Sequence, residues 1–508
     1  MSVSNRSAQR SAPRSSLRVA VLADSDTRWK WGALTARRLA PGNRLTGYLL
    51  RGRATPTARQ LGEVGVQADR LTEVTCAEFL ADIEREQYDV VVLALVGGAV
   101  QAVLHGVRAL WPDPAARPVL VTGYVGVVYE KLADGLLLRH GADLVLANSR
   151  HDAERFRAVY EGVGADAGAV TETVLPFLDG APYEPAGSRA HTVVFAVQPS
   201  VPESRADRAY LLERAAGHAR LHPDREVLVK LRSRPGEHTT HLEEQPYQRL
   251  AERLPGGLPA NCRLAYGNMG EVLDGTDLLV TVSSTAALES LHRGIPTAVL
   301  TDLGIREALG NHHFLGSGCL ASWDQLDAGL LPQGNPAWLT AQGVAPVRGP
   351  FSASPARLDV PGGASGAADR NPAPAPGAPR AGGEGFADAP AAGAPGVGGA
   401  GSADVSGTCG GDAFGAARAR LGELLELPQL PPVDPYYTLT TAPRYLPGIL
   451  ARHHLAPDGT PLPGAVRDGA GESRLRRRLR AHLRDAARGV YRHGVQRVAP
   501  LIRRMGEL

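Results

Sequence analysis

Asp274-Gly-Thr-Asp-Leu-Leu-Val-Thr-Val-Ser-Ser-Thr-Ala-Ala-Leu-Glu-Ser-Leu-His-Arg-Gly-Ile-Pro-Thr-Ala-Val-Leu300 is the stretch on which the fold turns. Leu278–Val282 is a short β-rich apolar run, as expected of a strand buried on both faces. Ser283, Ser284 and Thr285 follow at once, and Ala286–His292 then reads as a helix. Gly294 ends that helix, and Ile295-Pro296 leads into the next strand, which runs to Leu300. Free N–H groups at the helix start, with hydroxyls beside them, make an anion site suited to a phosphate. Glu289 lies one turn further in, where a carboxylate can accept from two ribose hydroxyls. A plain helix cap by Ser284 or Thr285 accounts for the same residues equally well.

The same alternation runs outward from this unit. Leu17–Ala23 is a first strand, Asp24-Ser-Asp-Thr-Arg-Trp-Lys-Trp31 a polar loop, and Gly32–Leu39 a helix. This places Asp24 and Asp26 at the carboxyl edge of a sheet, where open α/β folds bind ligands. An N-cap role needs only one of the two. Tyr88–Val96, Pro118–Tyr124 and Ala142–Ser149 are further buried strands. They alternate with helical stretches at Cys76–Gln87, Ala99–Leu110, Tyr129–His140 and His151–Tyr160. Such alternation predicts a parallel, doubly wound sheet. Composition turns to Gly, Pro and Ser near 180–190, and a second α/β unit opens with Thr192–Val197 and the helix Ala206–Leu221.

Glu226-Val-Leu-Val-Lys-Leu-Arg232 is a strand that carries Lys230 and Arg232 to its carboxyl end. The loop after it, Ser233–His241, holds Arg234, Glu237, His238 and His241 around Pro235-Gly236. Cations here suit a diphosphate or a carboxylate. A solvated surface loop is the plainer reading. The histidines match no zinc spacing, so no metal is expected.

The chain of 508 residues has a net charge of only +3, which sets whole-chain nucleic-acid binding aside. Its four cysteines, Cys76, Cys262, Cys319 and Cys409, are far apart and read as thiols of a reducing compartment. No segment approaches the about 18 apolar residues that a membrane span needs, and a cytoplasmic protein is expected. Residues 1–16 read as disordered. Residues 352–412 are Ala, Gly and Pro with few large apolar residues, and read as a disordered linker. Residues 413–471 hold a helix (Ala413–Glu426) and a proline-rich return segment with Tyr436-Tyr437-Thr438. The tail, 472–508, carries eleven arginines and three acids, with Leu475, Leu479 and Leu483 spaced four apart. This predicts a basic amphipathic helix suited to an anionic membrane surface. Packing against the protein and binding nucleic acid are its competitors.

Two α/β units, a polar loop after the first strand and a Ser/Thr turn in the second unit together resemble the GT-B glycosyltransferases. The likeness is to bacterial transferases of surface-polymer synthesis, including polysialyltransferase-like proteins and the CDP-glycerol glycerophosphotransferases. Asp277–Pro296 looks like their donor-binding serine motif. Lys230-Leu-Arg232-Ser233 stands where that group has Lys-x-His-Pro, with His238 and His241 nearby as substitutes. Ala142–Asp152 looks like the end of an acceptor domain. An actinobacterial family of uncharacterised transferases also fits.

The resemblance implies a fold class of α/β with two Rossmann-like domains of GT-B type, followed by the disordered Ala/Gly/Pro linker and the C-terminal basic amphipathic helix. It divides the chain into an acceptor domain, 17–187, and a donor domain, 188–351. It implies transfer of a sugar from a nucleotide-activated donor, a CMP-sugar among the candidates, to a cell-surface polysaccharide or lipid-linked acceptor. The transfer would be inverting, without metal or other cofactor, at the inner face of the membrane. Ser283, Ser284 and Thr285 would hold the donor phosphate and Glu289 the ribose, while Lys230 and Arg232 offset the leaving charge. Asp24 or Asp26 would be the base, with Glu237, His238 and His241 as rivals. A nucleotide-sugar epimerase, or a non-catalytic scaffold of a polysaccharide assembly system, are the alternatives.

Overall fold

A computed structural model gives the fold and describes residues 16–127, 131–234, 237, 243, 245–344 and 412–465. Residues 1–15, His238 and His241, the low-complexity tract and the basic tail expected as a helix lie outside the described residues. The rest forms an α/β protein with two parallel sheets.

The first sheet has seven strands: β1 (Arg18–Ala23), β2 (Arg44–Leu50), β3 (Arg70–Val74), β4 (Val90–Ala94), β5 (Val119–Gly123), β6 (Leu144–Ala147) and β7 (Val170–Glu172). Their spatial order is β3-β2-β1-β4-β5-β6-β7. The second sheet has six: β8 (His191–Ala196), β9 (Arg225–Lys230), β10 (Cys262–Ala265), β11 (Leu278–Thr281), β12 (Thr297–Leu300) and β13 (Leu320–Ala321). They run β10-β9-β8-β11-β12-β13. In both sheets the strand order reverses beside the first strand. The two crevices that result lie at the β1/β4 and β8/β11 carboxyl ends, where doubly wound sheets bind ligands.

A repeated device sets the strand register. An aspartate just before a strand accepts the N–H at the start of the neighbouring strand. Asp69 takes Leu45, Asp89 takes Arg18, Asp143 takes Leu120 and Asp277 takes Thr192, each at 2.7–2.8 Å. Asp143 also receives both Arg117 amino groups, and Asp277 receives both from Arg189. Asp277 is fully buried. Its side chain ties the start of β8 to the start of β11. Asp277→Ala leaves a buried N–H and the Arg189 guanidinium without their acceptor. It is expected to cost about 3–5 kcal/mol, read from the urea midpoint. A loss below 1 kcal/mol would contradict this role.

Several boundaries differ from the sequence reading. The polar loop Asp24–Trp31 is mostly helix: the helix spans Asp26–Leu39, capped by the Ser25 hydroxyl accepting from the Arg28 N–H. Trp29 and Trp31 are buried, and it is their packing that fixes this first turn. The helix expected over Tyr129–His140 is described only for Leu132–Leu137. Strands β2, β3, β7, β10 and β13 have no counterpart in the sequence reading. In β2, Gly47 breaks the apolar run for a reason of space: a Cβ there would meet Leu71 and the Trp29 ring at 2.5–2.6 Å.

The return segment belongs to the first sheet's surroundings. The helix Gly415–Glu426 packs on β5, β6 and β7 and on the helix Asp26–Leu39. Leu430 pairs with Ala115 in a β-bridge, and Tyr437 O accepts from Gln101 Nε2 and lies 2.9 Å from His105 Nε2. The helix Leu446–Arg452 then packs on the helix Gly97–Leu110. Leu446, Ile449, Leu450 and Leu455 are all buried there. No helix among the described residues is long and apolar enough to cross a membrane.

Candidate functional site

The carboxyl ends of the two sheets face each other across a cleft of about 180 Å³. From the first sheet it is lined by Asp26, Thr27 and Lys30, by Gln60, Glu63 and Val64, and by Phe177. The second sheet supplies Val197 after β8, Lys230–Arg232 from β9, Gly267–Met269 after β10, and Ser284–Ala286 with Glu289 after β11. Every one of these segments follows a strand, so the cleft lies where the crevices of both sheets open.

The turn after β11 is built as follows. Ser284 N–H donates to the Thr281 hydroxyl at 3.2 Å, and the Ser284 hydroxyl accepts from Ala286 N–H at 3.2 Å. The helix Ala286–Arg293 then runs to Gly294, which takes the left-handed conformation at φ 80°. Thr285 is the residue at its cap, and among the described residues neither its amide nor its hydroxyl has a partner. Ser283 turns the other way. Its N–H donates to Gln198 Oε1 and its hydroxyl accepts from Gln198 Nε2, which ties the ends of β11 and β8 together. Ser284, Thr285 and Glu289 therefore line the cleft, and Ser283 braces it from behind.

Lys230 is only 6% exposed, yet among the described residues its ammonium donates to nothing but the Leu231 carbonyl, at 2.8 Å. Among the described residues it has no ion pair. Burial pushes its pKa down to about 8, against a smaller upward pull from Glu63. A buried cation of this kind calls for an anion.

Other charges pair across the cleft. Arg232 bridges from the second sheet to Asp26 of the first at 2.5 Å and also contacts Thr27. Burial raises the Asp26 carboxyl, but Arg232 and Thr27 outweigh it and hold the pKa below the ordinary 3.8. Lys30 reaches Glu289 at 3.3 Å, with its ammonium 4.9 Å from the Phe177 ring centre. Glu63 accepts from Gly267 N–H at 3.1 Å. Glu237 is held by Arg59, whose Nε donates at 2.6 Å, by Thr57 and by the Arg234 N–H. Burial raises the Glu237 carboxyl, and these donors bring it below its usual range.

Asp24 stands apart from the cleft lining. It accepts from Val96 N–H at 2.9 Å and pairs with Arg28 at 2.8 Å, joining the ends of β1 and β4. Lys30, Glu63, Phe177 and Asn268 line the cleft without having been singled out from sequence. Lys30 was hidden because its stretch reads as loop until the Ser25 cap is recognised. Away from the cleft, His218, His222 and Asp327 lie close enough to hold a metal. They are bound to one another instead: His218 Nδ1 lies 2.7 Å from Asp327, and Arg225 stands 3.2 Å from His218 Nε2.

Residues 19–358 match the family described as "Putative glycosyltransferase (DUF6716)". The chain belongs to that family. No curated protein matches it. Among solved structures, the S. aureus MnaA–UDP co-structure is 11% identical, with 65% of this chain and 91% of that one aligned at a TM-score of 0.44. The UDP-GlcNAc 2-epimerase from Neisseria meningitidis bound to UDP-GlcNAc is 10% identical over 61% and 89%, with a TM-score of 0.38. The sucrose-phosphate synthase from Thermosynechococcus elongatus is 14% identical over 64% and 92%, at 0.37. At these identities the likeness is one of overall arrangement, and neither donor nor reaction follows from it.

Proposed function

We propose that this protein transfers a sugar from a nucleotide-activated donor to a cell-surface polysaccharide or lipid-linked acceptor. The observation that carries the reading is the buried Lys230 ammonium, unpaired by any described carboxylate, in the same cleft as the free amide and hydroxyl of Thr285. In this reading Ser284 and Thr285 take the donor phosphates at the start of the Ala286–Arg293 helix. Glu289 takes the ribose hydroxyls once Lys30 swings away. Lys230 and Arg232 offset the charge that grows on the departing nucleotide, so that the protein's own cations do the work a metal does elsewhere. Asp26 in the cleft wall, or Asp24 two residues before it, would deprotonate the acceptor. The reaction would be a single inverting displacement. The basic tail would hold the protein at an anionic membrane surface, where such acceptors are assembled.

The test is a thermal-shift panel of CMP, CDP, UDP, GDP and dTDP. One nucleotide is expected to stabilise the protein, by about 2.7 kcal/mol at a hundredfold excess over Kd. Thr285→Ala should weaken that nucleotide about tenfold, through loss of a hydrogen bond to a charged group. CMP or CDP as the winner would favour kinship with the polysialyl- and glycerophosphotransferases. If no nucleotide shifts the wild type, the donor site is wrong and a scaffold role takes its place. Interconversion of a nucleotide sugar in the absence of acceptor would point to an epimerase.

A further inference from the structure

The turn that follows β5 in the first sheet reaches the donor turn of the second. A Cβ added to Gly126 would stand 3.2 Å from Cγ2 of Thr285, closer than ordinary contact between carbons, and would meet no other described residue within 4 Å. Thr285 lines the cleft, whereas Gly126 does not. The turn is firmly held. Arg139 Nε donates to the Gly123 carbonyl at 3.0 Å, and the Arg139 guanidinium lies 4.0 Å from the Tyr124 ring centre. Asn148 Nδ2 donates to the carbonyls of Tyr124 at 2.9 Å and of Gly126 at 3.1 Å. Arg139, Asn148 and Val127 are all buried, so the turn has little room to give.

This contact bears on which way the Thr285 side chain is turned. The Thr285 backbone is helical, at φ −59° and ψ −16°. A threonine in such a backbone divides between two rotamers, and its hydroxyl can bond back to a carbonyl three or four residues earlier. The Thr285 hydroxyl makes no cap bond, and among the described residues none back to Thr281 or Val282. Its methyl is the branch that lies against Gly126.

We infer that Gly126 is a positioning residue of the phosphate site, an assignment that rests on the nucleotide reading above. By seating the Thr285 methyl, the turn after β5 selects the rotamer that leaves the Thr285 hydroxyl for a donor phosphate. Gly126 touches no substrate and acts through Thr285 alone. A side chain at 126 displaces the methyl, and the hydroxyl moves with it because one Cβ carries both. The phosphate site of the second sheet is therefore complete only while the first sheet stands against it.

The experiment titrates the full chain with CMP, CDP, UDP, GDP and dTDP by calorimetry, as wild type, Gly126→Ala, Thr285→Ser and the double variant. For the nucleotide that the wild type binds most tightly, Gly126→Ala should weaken binding about fivefold to tenfold, through loss of a hydrogen bond to a charged group. Thr285→Ser keeps the hydroxyl and should stay within about threefold of wild type. The double variant should bind within about twofold of Thr285→Ser, because the added alanine then has no methyl to strike, a coupling that independent sites do not show. Gly126 lies outside the left-handed region, so alanine there should move the melting temperature without nucleotide by no more than about 2 °C. Affinity in Gly126→Ala within about twofold of wild type overturns the assignment. So does a loss that persists in the double variant, which would put the nucleotide itself against Gly126. A wild type that binds none of these nucleotides removes the nucleotide reading, and the assignment falls with it.

Discussion

Lys230→Met is expected to give a protein more stable than the wild type that no longer holds its nucleotide. The ammonium is buried, and among the described residues the Leu231 carbonyl is its one partner. Its pKa, pushed down by burial to about 8 from an ordinary 10.5, measures what burial costs the charged form. That cost is of order 3 kcal/mol, and a methionine of similar length removes it. The sign in pH follows. Below pH 8 the folded protein carries the full cost. As pH rises from 8 toward 10.5 the unfolded chain binds more protons than the folded one, so the wild type gains stability over that window. The methionine variant should lack this rise. Urea midpoints across pH 7–10 read both effects. Loss of a buried charged contact to phosphate should weaken nucleotide binding about 100-fold or more by calorimetry. In the wild type, affinity should also fall as pH passes 8. A variant that is less stable, or that binds nucleotide normally, would remove Lys230 from the phosphate site.

The second large effect lies far from the cleft in sequence. Leu446→Ala with Leu450→Ala should cost about 4 kcal/mol or more, since both leucines are fully buried against the first sheet's helices. The loss should show first as faster amide exchange in the helix Gly97–Leu110. Stability within 1 kcal/mol of wild type would mean that the return segment merely rests on the surface.

What could be read from sequence, and what could not, follows from burial. Strands β4, β5 and β11 are continuous apolar runs buried on both faces, and such runs declare themselves. Strand β3 is a half-exposed edge, and β10 an edge with Arg263 facing out, so their composition is that of ordinary polar chain. The turn Ser284-Thr285 and the strand ending at Lys230 were legible because strand, turn and helix punctuate one another. That Lys30, Glu63 and Phe177 close the same cleft from the other side was not, because it depends on how two separately wound sheets face each other.

That tract begins and ends beside the same two strands. Gly343 packs against the Asn148 carbonyl and Val174 where β6 and β7 end, and Phe414 leads into a helix lying across β6 and β7. The residues that flank 345–411 are therefore anchored in one neighbourhood of the fold. The entropy of closing a loop between two such anchors changes by only about 0.6 kcal/mol for each doubling of its length. Length there is nearly free to drift. The fold would absorb a much shorter tract, or accept a whole guest domain spliced into it, while the two sheets keep their places.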